Sequence, residues 1–158
     1  MSATACFVLP TSTALTSNDR RHFHDGARHV REIRETVRYT GLDRTPIRVP
    51  VDVECAITWA DRHHRDAANW YPTLKAAVDE IVALGILADD SNRHVRKVTI
   101  WATEPDAALK GKVRFKVTLT PIGNAGNGAD AARMVGISEG PRIAPETPLT
   151  TSNARSPR

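Results

Sequence analysis

Six polar side chains cluster around one apolar-striped segment, "RDAANWYPTLKAAVDEIVALGILADD", residues 65–90. Asp66 and Asn69 precede it, Lys75 lies in its first turns with Asp79 four residues on, and Asp89 and Asp90 follow it. Phosphodiester hydrolysis needs a nucleophilic water and relief of charge at the pentacovalent phosphorus. Carboxylates that hold Mg2+ supply both, and a neighbouring lysine stabilises the charge that develops in the transition state. On this account Asp66, Asp89 and Asp90 are the metal ligands, and Asp66, Lys75 and Asp90 are the catalytic residues. A plainer account also fits. Asp66 or Asn69 caps a helix, "DDSN" forms a turn and Lys75 is a surface lysine. On composition and spacing alone, the plainer account stands ahead.

The same ambiguity runs through the basic residues. Arg62, His63, His64 and Arg65 stand immediately before Asp66, where they either grip phosphates with Asn69 or form a solvated loop. Arg28, Arg31, Arg34 and Arg38 lie off the apolar stripe of an earlier segment, as a charged face turned to water or to phosphate. His22 and His24 have no third ligand spaced nearby, which argues against a metal pair. Trp70 and Tyr71 either stack on an unpaired base or pack at a helix start, and packing is the commoner use.

Positioning these residues requires elements, and the pattern of apolar positions supplies them. "ACFVLP" (Ala5–Pro10) reads as a strand and the Ser/Thr-rich stretch after it as a loop. Ala27, Val30, Ile33 and Val37 recur at helical spacing, which predicts a helix over Asp25–Thr40 closed by Gly41. Alternation from Val49 to Ala60 predicts a half-buried strand, interrupted at Pro50. Leu74, Ala77, Val78, Ile81 and Val82 predict a second helix over Pro72–Leu84, with proline in its first turn and Gly85 at its end. Val95–Ala102 and "VRFKVTLTPI" (113–122) complete the series as strands. The expected fold is a small α/β (α+β) domain: a mixed sheet with two main helices. The segment from Gly123 onward is rich in Gly, Pro, Ser and Thr and lacks periodicity, so a disordered tail is expected there. This reading leaves one difficulty. A helix over Pro72–Leu84 holds its ends about 20 Å apart, so Asp66 and Asp90 meet only if the Asp-Asp loop folds back or a second subunit contributes.

Bulk properties narrow the field further. The 158 residues are 41% apolar but only 5% aromatic, so the core must be built mainly from aliphatic side chains. Cys6 and Cys55 are the only cysteines; they exclude a disulfide framework and a cysteine-based zinc site, and fit a reducing compartment. No apolar run approaches the roughly 20 residues of a membrane span. The first residues lack the pattern of a secretory signal. A soluble, cytoplasmic protein is expected. The net charge of +4 is weak evidence for a polyanionic partner.

"RDAAN", then Lys75, Asp79, Gly85 and "DD", resembles the RusA family of Holliday-junction resolvases of bacteria and their phages. Spacing from Lys75 to Asp90 matches that family without a gap, and "LPTSTALTSND" is similar to its first strand and Ser/Asn-bearing loop. Such a resemblance covers roughly Cys6 to Ile122 and implies a RusA-like nuclease domain over residues 1–122. Residue by residue, it implies that Asp66 and Asp90 are catalytic aspartates and Lys75 the essential lysine, with Asp89 and Asn69 beside them. It also implies a homodimer, Mg2+ or Mn2+, no small-molecule cofactor, and paired cuts across a four-way DNA junction. This chain departs from the family in two places. Ala68 stands where a second catalytic aspartate is expected, and about three extra residues, the "WYP" region, separate Asn69 from Lys75. Asp79 or Asp61 is the candidate to compensate. Two competitors follow: a DNA-binding protein that keeps the fold but has lost cleavage through Ala68, and a small adaptor with no nucleic-acid role.

Overall fold

The computed structural model describes residues 2–19 and 23–123; the tail expected from Gly123, apart from Gly123 itself, and the His22 half of the histidine pair lie outside them. Strand β1 spans Ala3–Pro10, helix α1 Phe23–Arg38, strand β2 Val51–Trp59, helix α2 Tyr71–Ala83, strand β3 Val95–Ala102 and strand β4 Lys112–Pro121. The element order is the expected one. The four strands form one mixed sheet in the order β1-β4-β2-β3, in which β4 pairs antiparallel with both β1 and β2 while β2 and β3 run parallel. Parallel neighbours need a long crossover, and here α2 lies within that connection. No helix among the described residues is long and apolar enough to cross a membrane.

Alternation decides which face of the sheet is covered. On β1 the odd residues Ala3, Ala5, Phe7 and Leu9 are buried and the even ones exposed; on β4, Val113, Phe115, Val117 and Leu119 are fully buried. The helices close over that face, α1 through Ile33 and Val37, α2 through Leu74, Ala77 and Ile81. Phe7 and Phe115 face each other across the β1–β4 register, their rings stacked 5.3 Å apart.

Boundaries differ from expectation by a residue or two, for local reasons. The second strand begins at Val51, not Val49, because Pro50 has no N–H to give to a ladder; its carbonyl instead accepts from the Ile122 amide at 2.8 Å. At the end of α2, Gly85 adopts φ +73°. Its amide donates to Val82, and that of Ile86 to Ile81, the paired bonds that close a helix through a left-handed residue. Ile86 and Leu87 then turn into the core, which fixes the direction of the chain leaving the helix.

Candidate active site

That exit direction brings Asp90 back along α2. Asp90 Oδ2 lies 2.7 Å from Lys75 Nζ, and Lys75 also bonds Asp79 one turn further along the helix. The fold-back answers the distance difficulty for this pair: Asp90 does not stay at the helix exit but rejoins the second turn. Beyond it, the Ser91 carbonyl accepts from the amides of His94 and Val95, and the chain enters β3. All three charged side chains are 35 to 44% exposed. Beneath them Val53, Tyr71, Leu74, Val78, Val95 and Val98 line a crevice of about 30 Å3, room for about one water. Hydrogen bonds donated to Asp79 and then to Asp90 raise the Lys75 ammonium above its ordinary pKa, so it stays charged throughout the neutral range.

Asp66 and Asp89 are engaged elsewhere. Asp66 is extended and caps a 3-10 turn, Ala67–Trp70; its Oδ1 accepts from the Ala68 amide at 2.9 Å and its carbonyl from Asn69 at 3.2 Å. Among the described residues no hydrogen bond or ion pair joins Asp66 to Lys75 or Asp90. Asp89 turns its carboxylate onto the Asp90 amide at 2.9 Å. Hydrogen bonds from the Ser91 side chain and the Asp90 amide hold that carboxyl below the usual range. Asn69 offers its carbonyl to the Ser17 amide at 2.7 Å. Nearby, the buried Thr73 hydroxyl donates to the Leu15 carbonyl and accepts from its amide. The Ser/Thr-rich loop is thereby tied to the start of α2.

The "WYP" region has a structural use. Trp70 is 7% exposed and wedges between Trp59 and Phe115, at ring distances of 5.8 and 6.1 Å. Tyr71 remains half exposed and Pro72 occupies the first turn of α2. Packing is therefore what Trp70 does.

Arg62, His63, His64 and Arg65 line an open cleft of about 530 Å3 with Trp59, Asp61, Thr103 and Glu104. Arg65 is committed within it. Its two terminal nitrogens reach Asp61 at 2.5 and 3.2 Å, and its guanidinium lies 5.6 Å over the Trp59 ring. Arg65 and the His63 amide hold the Asp61 carboxyl down to about 2, so Asp61 is a fixed anion spent on this loop. Arg62 approaches Glu104 at 3.9 Å with both side chains almost wholly in water. Two arginines therefore face two carboxylates in the cleft, and with the histidines neutral its formal charge is zero. The indole N–H of Trp59 is buried there without a hydrogen-bond partner among the described residues.

Asp79, one turn from Lys75 in the sequence, bonds that lysine directly, and the same lysine bonds Asp90. One feature escaped the sequence. Glu80, next in sequence but about 100° further round the helix, is 0% exposed and receives Arg34 Nε at 2.9 Å and Arg38 Nε at 2.7 Å. Two of the four α1 arginines are thus turned toward α2 rather than standing as a plain solvated face. Burial pushes the Glu80 carboxyl up, but hydrogen bonds and charge from Arg38 and Arg34 outweigh it and hold the group below its ordinary range.

The chain matches no family model and no curated protein. Among the described residues, no three His, Cys, Asp or Glu side chains are grouped so as to hold a metal ion. Two carboxylates do converge on one ammonium. Mg2+ keeps several waters and is commonly held by one or two carboxylates, so Asp79 and Asp90 form a donor set of the right chemistry and the minimum size.

Proposed function

We propose that the chain is a metal-dependent endodeoxyribonuclease that cuts branched DNA such as a four-way junction, as its resemblance to RusA resolvases implies. One observation carries this reading: Asp90 folds back onto Lys75, which makes a lysine flanked by two carboxylates out of residues 15 positions apart. Such a cluster, partly open to solvent at the base of a helix, suits a phosphodiester better than a structural salt bridge. Surface ion pairs contribute little to stability.

Asp79 and Asp90 would hold the Mg2+ or Mn2+ ion, with Asp66 the third candidate ligand, delivered by movement of its turn or by a second copy of the chain in a homodimer. The metal would supply a nucleophilic water and relief of charge at phosphorus. Lys75 is at present the counter-ion of both carboxylates. Were a divalent ion to compete for them, its ammonium would be free to face the phosphate and stabilise charge in the transition state. Arg62, His63 and His64 border the cleft beside Asp66 and would meet phosphates flanking the cut, with Arg65 held as support by Asp61. Recognition would rest on junction shape more than on base edges.

A second reading, a DNA-binding protein of the same fold without cleavage, is favoured by Ala68 and by the small donor set. One experiment separates them. Purified protein is incubated with a labelled four-way junction, with Mg2+ or with EDTA. Metal-dependent nicks that fall at least 100-fold in Asp90→Asn and Lys75→Ala, with junction binding retained, support the nuclease. Binding without product in any divalent metal supports the second reading, and absence of salt-sensitive DNA binding removes both.

A further inference from the structure

The side of α2 turned away from Lys75 carries a separate basic feature. Ala27, Val30, Arg31, Arg34, Glu35, Arg38 and Glu80 enclose a groove of about 370 Å3 between the two helices. Its base is the buried Glu80 carboxylate, and its two oxygens are taken by different arginines, Oε2 by Arg34 and Oε1 by Arg38. Both bonds use Nε. The terminal nitrogens of Arg34 and Arg38 make no other hydrogen bond among the described residues, and Arg31, one turn before Arg34, makes no ion pair among them at all. A guanidinium presents five N–H donors in a fixed fork, so one edge can be anchored while the other remains available. Glu80 fixes the orientation of two such forks at the helix–helix seam, 37 and 48% exposed. Three arginines face two carboxylates there, which leaves one net positive charge.

We infer that this groove binds a phosphate of a nucleic-acid backbone, held by the free edges of Arg34 and Arg38 and by Arg31. Preorganised, planar donors with their anchoring already satisfied suit phosphate oxygens, which accept paired N–H bonds. The groove differs in kind from the cleft at Arg62–Arg65, where the formal charge is zero. It therefore supplies an attraction that needs no histidine protonation. A backbone contact of this kind carries no sequence information; it orients a DNA arm on the protein. This inference rests on nucleic acid being the ligand, but not on cleavage.

The test is the salt dependence of binding to a fluorescent duplex and to a four-way junction, measured in EDTA with the full chain. For B-DNA each neutralised phosphate contributes about 0.9 to the slope of log K against log salt. Arg31→Ala, at an exposed position and to a strong helix former, is expected to lower that slope by about 1 and to weaken both DNAs several-fold. Arg31→Lys, which keeps the charge, is expected to restore most of the affinity. Equal slopes for wild type and Arg31→Ala overturn the groove, and nicking that persists in that case leaves the nuclease reading standing. A lowered slope in a protein that never nicks keeps the groove and removes the nuclease. No DNA binding by the wild type ends both. Inorganic phosphate that shifts the arginine Nε–H resonances while the DNA slope stays constant assigns the groove to free phosphate and overturns the backbone assignment.

Discussion

Ala68 is exposed, and its amide is already held by Asp66, so a carboxylate placed there meets no packed neighbour. Ala68→Asp adds an acidic group at the position where the resolvase pattern has one. It is expected to lower the Mg2+ concentration for half-maximal nicking several-fold, read from a metal titration of junction cleavage. Asp79 and Asp89 separate in the same assay. Asp79→Asn removes a direct partner of Lys75 and should cost at least 10-fold, whereas Asp89→Asn alters a side chain occupied by its own turn and should stay within about 3-fold. Equal losses for the two would show that the Lys75 cluster is not the reacting centre. Spacing alone could pair Lys75 with Asp79. That Asp90 arrives at the same ammonium depends on Gly85, Ile86 and Leu87 redirecting the chain, which no spacing displays.

At the scale of elements, the seam between α1 and α2 depends on one buried carboxylate. Glu80→Gln keeps the shape but replaces two charge-assisted bonds with weaker ones, at an expected cost of about 2 kcal/mol in urea unfolding. Because the folded carboxyl lies below its ordinary value, its contribution is complete above the unfolded value of 4.5. It is lost as pH falls through the folded value. Wild type should therefore lose stability on acidification below about pH 4.5 more steeply than Glu80→Gln, and parallel curves would contradict this assignment. Gly85→Ala meets open space but must hold φ +73°, so about 1 kcal/mol of destabilisation is expected from the backbone alone. The strands and helices were legible because alternation and helical periodicity are one-dimensional signals. The Glu80 pairing was not, since it joins positions 42 and 46 residues apart and Glu80 looks like an ordinary polar residue between apolar ones.

For the whole molecule, the last strand among the described residues lies inside the sheet, not at its edge. β4 is hydrogen-bonded on both sides, and four of its side chains are fully out of water. Amide exchange should be slowest in β4 and β2 and faster in β1 and β3, each of which has one unpaired edge. Phe115→Ala, which removes the ring between Phe7 and Trp70, should cost about 3–5 kcal/mol, measured by denaturant unfolding. This placement also governs how the protein comes into being. Ala3 is paired with Leu119, the start of the sheet beside its end. On a ribosome the first strand therefore emerges with its apolar side chains bare and has no neighbour in the sheet until the residues up to Pro121 are made. Until then the bare strand has to be kept from its own kind by other means, and closure of the sheet has to await β4.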